Sequence, residues 1–158
     1  MPGMERAVPR PGQQFCSALL PPERSPVLIV VESGETLTAA LEELCAFLGI
    51  GVLQVRDPAP PLTRLLVRHQ PIAVVAELEG EAQDGCHVLM TVARFDPTLP
   101  VLMVAGEEPH LLGAVDAVQE LWGLTAVTTT SALPRGGALV EYLFRAGRRA
   151  GIGRLLPV

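Results

Sequence analysis

Apolar residues fall along the chain in blocks of two kinds, short uninterrupted runs and longer segments with helical spacing. The run at Val27–Val31 is apolar throughout, which is typical of a strand covered on both faces of a sheet. The segment Glu35–Leu48 then places a leucine every three or four residues and is followed by Gly49, a pattern that predicts a helix and its C-terminal cap. Together they predict a strand followed by a helix, which is the repeating unit of a parallel sheet.

The same pair of patterns repeats to the end of the predicted domain. Further strands are predicted at Ile50–Val55, Ile72–Ala76, Val101–Val104 and Thr125–Thr129. Helices are predicted around Leu62–Leu66, Val88–Phe95, Leu111–Trp122 and Ala138–Ala146. Right-handed crossovers place helices on both faces of a parallel sheet. We therefore expect an α/β fold, a three-layer, doubly wound, five-stranded sandwich of the flavodoxin-like type with strand order 2-1-3-4-5.

The ends of the chain lack this periodicity. Residues 1–25 are rich in proline, and Phe15–Leu20 is the only part of them that we expect to dock on the domain. We expect the domain itself to occupy residues 26–149 and a short C-terminal tail to occupy residues 150–158.

Composition narrows the classes of function. The 158 residues suffice for one domain, and 49% hydrophobic residues supply its core. A net charge of −5 argues against a nucleic-acid partner, and the twelve basic residues are all arginine, which excludes any mechanism that needs lysine. Three cysteines without a C-x-x-C pair, and no apolar stretch of signal or membrane-spanning length, predict a cytoplasmic protein without metal or membrane partner.

The strand ends show a resemblance over about Pro26–Arg149. Val27–Glu32 is similar to the first strand of a response-regulator receiver domain, which ends in two acidic residues. Pro71–Glu77 resembles the third strand that runs into the phospho-acceptor aspartate, and Asp84 with the glycine after it matches the Asp-Gly that follows. Leu99–Gly106 resembles the fourth strand, which ends in a switch threonine or serine.

The residues that carry phosphorylation chemistry in that family are changed at four of five positions. The positions hold Val31 and Glu32 for the acidic pair, Glu77 for the acceptor, Ala105 for the switch hydroxyl and Thr130 for the lysine. The acidic pair and the acceptor hold Mg²⁺ in the family, and this ion needs several oxygen ligands. The longer carboxylate of Glu77 is also misplaced for in-line attack on a phosphoryl group. The resemblance therefore implies a degenerate pseudo-receiver that does not accept phosphate and needs no cofactor.

Two carboxylates remain at this edge, and each has two interpretations. Glu77 either mimics the charge of a phosphorylated aspartate, which would fix the domain in one state, or is a solvated carboxylate at a strand end. Glu32 is either a remnant of the acidic pocket or an ordinary acid near a helix N-terminus.

Two hypotheses of different classes follow. The first is a phosphorylation-independent, receiver-like signalling module, not an enzyme, that acts by protein–protein interaction in a two-component pathway or phosphorelay of the bacterial type. Its expected partner is a sensor kinase, a regulator or an output protein, and with no output domain in 158 residues we expect it to stand alone. The alternative is a small flavodoxin-like enzyme, or a nucleotide- or flavin-binding protein, that uses the Ser33–Thr36 loop. The simpler interpretation of that loop is a helix cap formed by Ser33 or Thr36.

Charge distribution suggests an interaction face formed by the fourth helix, fifth strand and fifth helix. Its candidate residues are Glu107, Glu108, Asp116 and Glu120 on one side, and Tyr142, Phe144, Arg145, Arg148 and Arg149 on the other. Receiver domains often associate through this face, and two-fold pairing would set the acids against the arginines. We therefore expect it to bind a protein partner or a second copy of the chain.

Overall fold

The computed structural model describes residues 26–56, 61–77, 82–106 and 109–151. These residues form the strands β1 (Val27–Val31), β2 (Gly51–Val55), β3 (Ala73–Glu77), β4 (Val101–Val104) and β5 (Val127–Thr130). Their helices are α1 (Thr36–Leu48), α2 (Pro61–His69), α3 (Ala82–Phe95), α4 (Pro109–Trp122) and α5 (Gly136–Arg149). The predicted tails at residues 1–25 and 152–158, with the docking segment at Phe15–Leu20, lie outside the described residues. No helix within the described ranges is long and apolar enough to cross a membrane.

The strands form one parallel sheet in the order β2-β1-β3-β4-β5. This confirms the predicted fold class and strand order. The strands begin later than predicted in β2, β3 and β5, and the first of these differences has a clear cause. Ile50, expected to open β2, instead donates its backbone N–H to the carbonyl of Cys45 at 2.8 Å and so closes the end of α1.

Alternate residues of each strand point to opposite faces of the sheet and build two separate cores. On one face Leu28, Val30, Val75 and Leu102 pack against α1 and α5. On the other face Ile29, Val31, Val74, Ala76 and Met103 pack against α2, α3 and α4, which we call the three-helix layer. Each fully buried leucine or isoleucine contributes about 2 kcal/mol of hydrophobic stabilisation. The two cores hold the sheet as a rigid platform whose carboxyl edge carries the candidate site.

The opposite, amino edge carries a contact between α5 and the loop that joins α3 to β4. Arg149 donates to the Oδ2 of Asp96 at 2.6 Å and also to the hydroxyl of Thr98. Partial burial raises the pKa of Asp96, but hydrogen bonds from Thr98 and the charge of Arg149 outweigh it and hold this pKa below its ordinary value. Because the pKa is lowered in the folded state, the stabilisation is present above the unfolded pKa and is lost as the pH falls through the folded one.

Candidate functional site

Two of the positions matched to phosphorylation chemistry lie in the hydrophobic core. Val31 is 5% exposed and Ala105 is 4% exposed, and both belong to the cluster packed against the three-helix layer. Neither side chain carries an oxygen or a proton to exchange. The positions matched to the first acidic residue and to the switch residue therefore lie in the core of this chain.

Glu32, the remaining acid of the first strand, is buried and bound to the start of α1. It is 3% exposed. Its Oε1 accepts a hydrogen bond from the backbone N–H of Leu37 at 3.0 Å, and its Oε2 accepts one from the N–H of Thr38 at 2.6 Å. These N–H groups lie in the first turn of the helix, where no helical carbonyl is available to them. The carboxylate therefore caps α1 and meets the positive end of its dipole.

The expectation that Ser33 or Thr36 caps this helix is wrong. Both residues are exposed, and the residue at the helix boundary, Glu35, makes no capping bond with its side chain. Glu32 takes this role because β1 ends directly before it, which leaves its carboxylate buried beneath the first turn of α1. Of the two interpretations of Glu32, the structure supports the acid at a helix N-terminus.

The loop between β1 and α1 is tied to the end of β2. Arg56 donates to the Ser33 carbonyl at 3.0 Å and forms an ion pair with Glu35 at 3.2 Å. Gln54 donates its side-chain amide to the carbonyl of Gly34 at 2.5 Å. A phosphate bound at this helix N-terminus would need the same backbone N–H groups that the Glu32 carboxylate already occupies. This argues against the nucleotide- or flavin-binding alternative.

Glu77 and Thr130 lie in one row at the carboxyl edge, because each is the register partner of Val104 on the strand between them. Glu77 is half-buried at the last position of β3. Thr130, at the family's lysine position, accepts the N–H of Ala105 on its carbonyl at 2.8 Å. Its hydroxyl is buried and has no hydrogen-bond partner among the described residues. The threonine side chain is short and uncharged, so it cannot supply the cation that the family uses here.

The residues at this edge do not fit the Mg²⁺ site of the receiver family. Magnesium needs near-octahedral oxygen ligation. Val31 offers no ligand, and both carboxylate oxygens of Glu32 are bonded to the backbone of α1. Across the described ranges, no three His, Cys, Asp or Glu side chains lie in an arrangement that could hold a metal ion.

The predicted interaction face is assembled from two helices on either side of the edge strand β5. Asp116 and Glu120 are exposed on α4, and Arg145 and Arg148 are exposed on α5. Arg145 also pairs with Glu141 one turn earlier, at 3.3 Å. The hydroxyl of Tyr142 is buried against the core that α1 and α5 cover, and burial raises its pKa. Tyr142 therefore contributes mainly to the core, while Glu107 and Glu108 lie outside the described residues.

Comparison with known proteins places this fold. No family model matches the sequence, and none of the curated proteins matches it. The structure is similar to the receiver domain of an HD domain-containing protein from Pseudomonas fluorescens, with 18% identity, a TM-score of 0.64, and coverage of 81% of this chain and 90% of that one. It is also similar to a response-regulator receiver domain from Clostridium thermocellum, with 16% identity, a TM-score of 0.60, and coverage of 80% and 98%. A third match is the receiver domain of a modulated diguanylate cyclase from Desulfovibrio desulfuricans, with 18% identity, a TM-score of 0.58, and coverage of 80% and 97%.

The fold of the protein therefore defines its structural class. The chain has the flavodoxin-like fold of response-regulator receiver domains, which confirms at the level of the fold the resemblance drawn from its strand ends. It spans almost the whole length of the receiver domains that it matches.

Proposed function

We propose that this protein is a receiver-like signalling module of a cytoplasmic two-component-type pathway that works without accepting a phosphoryl group. The observation that carries the proposal is the capping role of Glu32, whose two carboxylate oxygens both bind the first turn of α1. Releasing it for a metal ion would leave two backbone N–H groups without partners. The residue before it, Val31, is apolar and buried. The edge thus serves the stability of the fold.

Glu77 places a permanent carboxylate at the acceptor position in this proposal. A glutamate there is one methylene longer than aspartate and half-buried at the strand end. It places a carboxylate beside Val104 and Thr130, at the ends of β4 and β5, without a phosphorylation step. Signalling then depends on contact with a sensor kinase, regulator or output protein, and not on a chemical switch.

The first prediction is that the protein stays unmodified by phosphoryl donors. Incubation with acetyl phosphate and Mg²⁺ is expected to leave the intact mass unchanged, and beryllofluoride with Mg²⁺ is expected to leave the melting temperature unchanged. The physical reason is that the described carboxyl edge offers neither a complete magnesium site nor a lysine. A receiver domain with the full acidic set serves as the positive control. Stoichiometric phosphoprotein that disappears in Glu77→Ala would contradict the proposal.

The second prediction concerns the partner surface on α4, β5 and α5. Replacing Arg145 and Arg148 by glutamate is expected to weaken capture of a cellular protein partner about tenfold, and more strongly at low salt, since reversed rim charges slow association. The melting temperature should change little because both side chains are exposed. The matched control is the same two-charge reversal on α2, at Arg64 and Arg68, which should leave capture intact. Equal capture by all three proteins would show that the partner binds elsewhere.

A further inference from the structure

Two strips of opposite charge lie on the outer surface of the three-helix layer. The arginine strip on α2 consists of Arg64, Val67 and Arg68, and the acidic strip on α4 consists of Asp116, Glu120 and Leu121. All six side chains are exposed. Val67 is 61% exposed and Leu121 79%, and these are two of the three most exposed large apolar side chains in the described part of the chain. Each strip therefore joins two like charges to one uncovered apolar group.

The two strips match in the spacing of their charged residues and in their position along the helix axis. In each strip the charged residues are four apart, which puts them on one helix face about 6 Å apart along the axis. Each helix runs back from the carboxyl edge of the sheet to the amino edge, because it connects two parallel strands. Arg68 lies one residue before the end of α2 at His69, and Glu120 lies two residues before the end of α4 at Trp122. Counted from the helix ends near the amino edge, the positions of the two strips therefore differ by one residue, about 1.5 Å along the helix axis.

Neither strip is used within its own molecule. The ion pairs among the described residues are Arg56 with Glu35, Arg145 with Glu141, and Arg149 with Asp96, and none includes a strip residue. The helix α3 lies between α2 and α4, so the strips are separated by two helix spacings, roughly 20 Å. That distance is beyond the reach of an intramolecular ion pair, so only another molecule can bring the strips together.

A second copy of this chain fits both strips at once. A two-fold axis parallel to α3, in the plane of the contact, lays α2 of one copy along α4 of the other in the same direction. Arg64 then faces the partner's Asp116, and Arg68 faces the partner's Glu120. Val67 lies beside the partner's Leu121. The axis repeats the same contacts on the other side, which is the isologous arrangement typical of homodimers.

The middle of this contact is α3, which exposes His87 and Arg94. Two copies of Arg94 near the axis would repel one another. In this structure, however, the guanidinium of Arg94 lies over the Trp122 ring, 5.4 Å from its centroid, and so is drawn toward α4 and away from the axis. The remaining charge on the contact is balanced between the strips.

We propose that the protein forms a two-fold homodimer through the three-helix layer, with the arginine strip of each copy on the acidic strip of the other. The helices α3 and α4 are about 21 Å long and α2 is about 14 Å long, so three helices about 10 Å apart present roughly 550 Å² per copy, below the about 800 Å² of a standard interface. The dimer is therefore weak, with a dissociation constant of about 10–100 μM at low ionic strength, and it weakens with salt. This inference does not depend on the phosphorylation-independent function.

The test is charge exchange, read by sedimentation equilibrium at about 100 μM protein and low salt. Wild type is expected to be at least about half dimeric at this concentration. The variant Arg64→Glu with Arg68→Glu, which makes both strips acidic, and the variant Asp116→Arg with Glu120→Arg, which makes both basic, are each expected to be monomeric. Mixed in equal amounts, the two variants are expected to form a heterodimer, because every facing pair is again opposite in charge. A misfolded variant could not regain association on mixing, so this arm separates a broken interface from a broken fold.

The matched control is Arg145→Glu with Arg148→Glu, which carries the same change in charge on α5 and should remain dimeric. A monomeric wild type under these conditions would overturn the proposal, as would a mixture that stays monomeric. Dissociation by the α5 variant alone would place self-association on the α4, β5 and α5 face instead. The phosphoryl-donor assay is independent of all these outcomes, so failure of the dimer and failure of the proposed function are distinguishable.

Discussion

Replacing Glu32 by alanine is expected to lower the free energy of unfolding by about 3 kcal/mol. The substitution removes a buried carboxylate that accepts hydrogen bonds from Leu37 and Thr38, and it leaves both N–H groups in a buried first turn without partners. A hydrogen bond to a charged group contributes about 1.5–3 kcal/mol, and loss of a helix cap alone costs about 1 kcal/mol. Urea denaturation followed by circular dichroism measures the difference, and the slope of the transition should stay the same because the fold persists.

The same loop offers a matched control. Glu35 is three residues further on, carries the same side chain and forms an ion pair with Arg56, but both partners are more than half exposed. Glu35→Ala is therefore expected to cost less than about 1 kcal/mol. Glu32→Gln, which keeps the size but offers one acceptor oxygen for two donors, should fall between the two. If Glu32→Ala were no more costly than Glu35→Ala, the carboxylate would not be the cap of α1.

The fold was predictable because the pattern of hydrophobic residues along a strand reflects which of its faces are buried. The run at β1 is apolar at every position, since Leu28 and Val30 face α1 and α5 while Ile29 and Val31 face the three-helix layer. That two-sided burial distinguishes a central parallel strand from a surface one. The exact start of β2 was not predictable in the same way, because Ile50 has the right composition for a strand but gives its N–H to the end of α1.

The role of Glu32 shows where reasoning from residue types ends. Ser33 and Thr36 belong to the residue types preferred at helix caps, whereas glutamate does not. The sequence places Glu32 at the strand end but does not say in which direction its side chain turns, and that direction separates a pocket acid from a cap. The available signal was spacing, because an acid between a buried strand and a helix start a few residues later can reach the first turn. Whether Glu77 mimics a phosphorylated aspartate depends on a partner's response and stays a prediction.

Introducing an acid at Val31, the position matched to the first acidic residue of receiver domains, is expected to destabilise the protein strongly. Val31→Asp should lower the free energy of unfolding by about 4 kcal/mol at neutral pH, since it replaces a 5% exposed valine in a hydrophobic cluster with a carboxylate. The control is Val31→Thr, which has a similar shape and no charge, and which should cost about 1–2 kcal/mol for the buried hydroxyl.

The pH dependence and the response to magnesium decide what the substituted aspartate means. Burial disfavours the charged form of an aspartate, so the pKa of this side chain is raised in the folded state. Val31→Asp should therefore recover stability as the pH falls through that raised pKa. Val31→Thr carries no such group and should lack this recovery. Magnesium is expected to leave the unfolding of Val31→Asp unchanged, because the oxygens of Glu32 remain on the N–H groups of α1. Stabilisation of Val31→Asp by millimolar Mg²⁺ would instead show that the acidic pair can be restored at this edge.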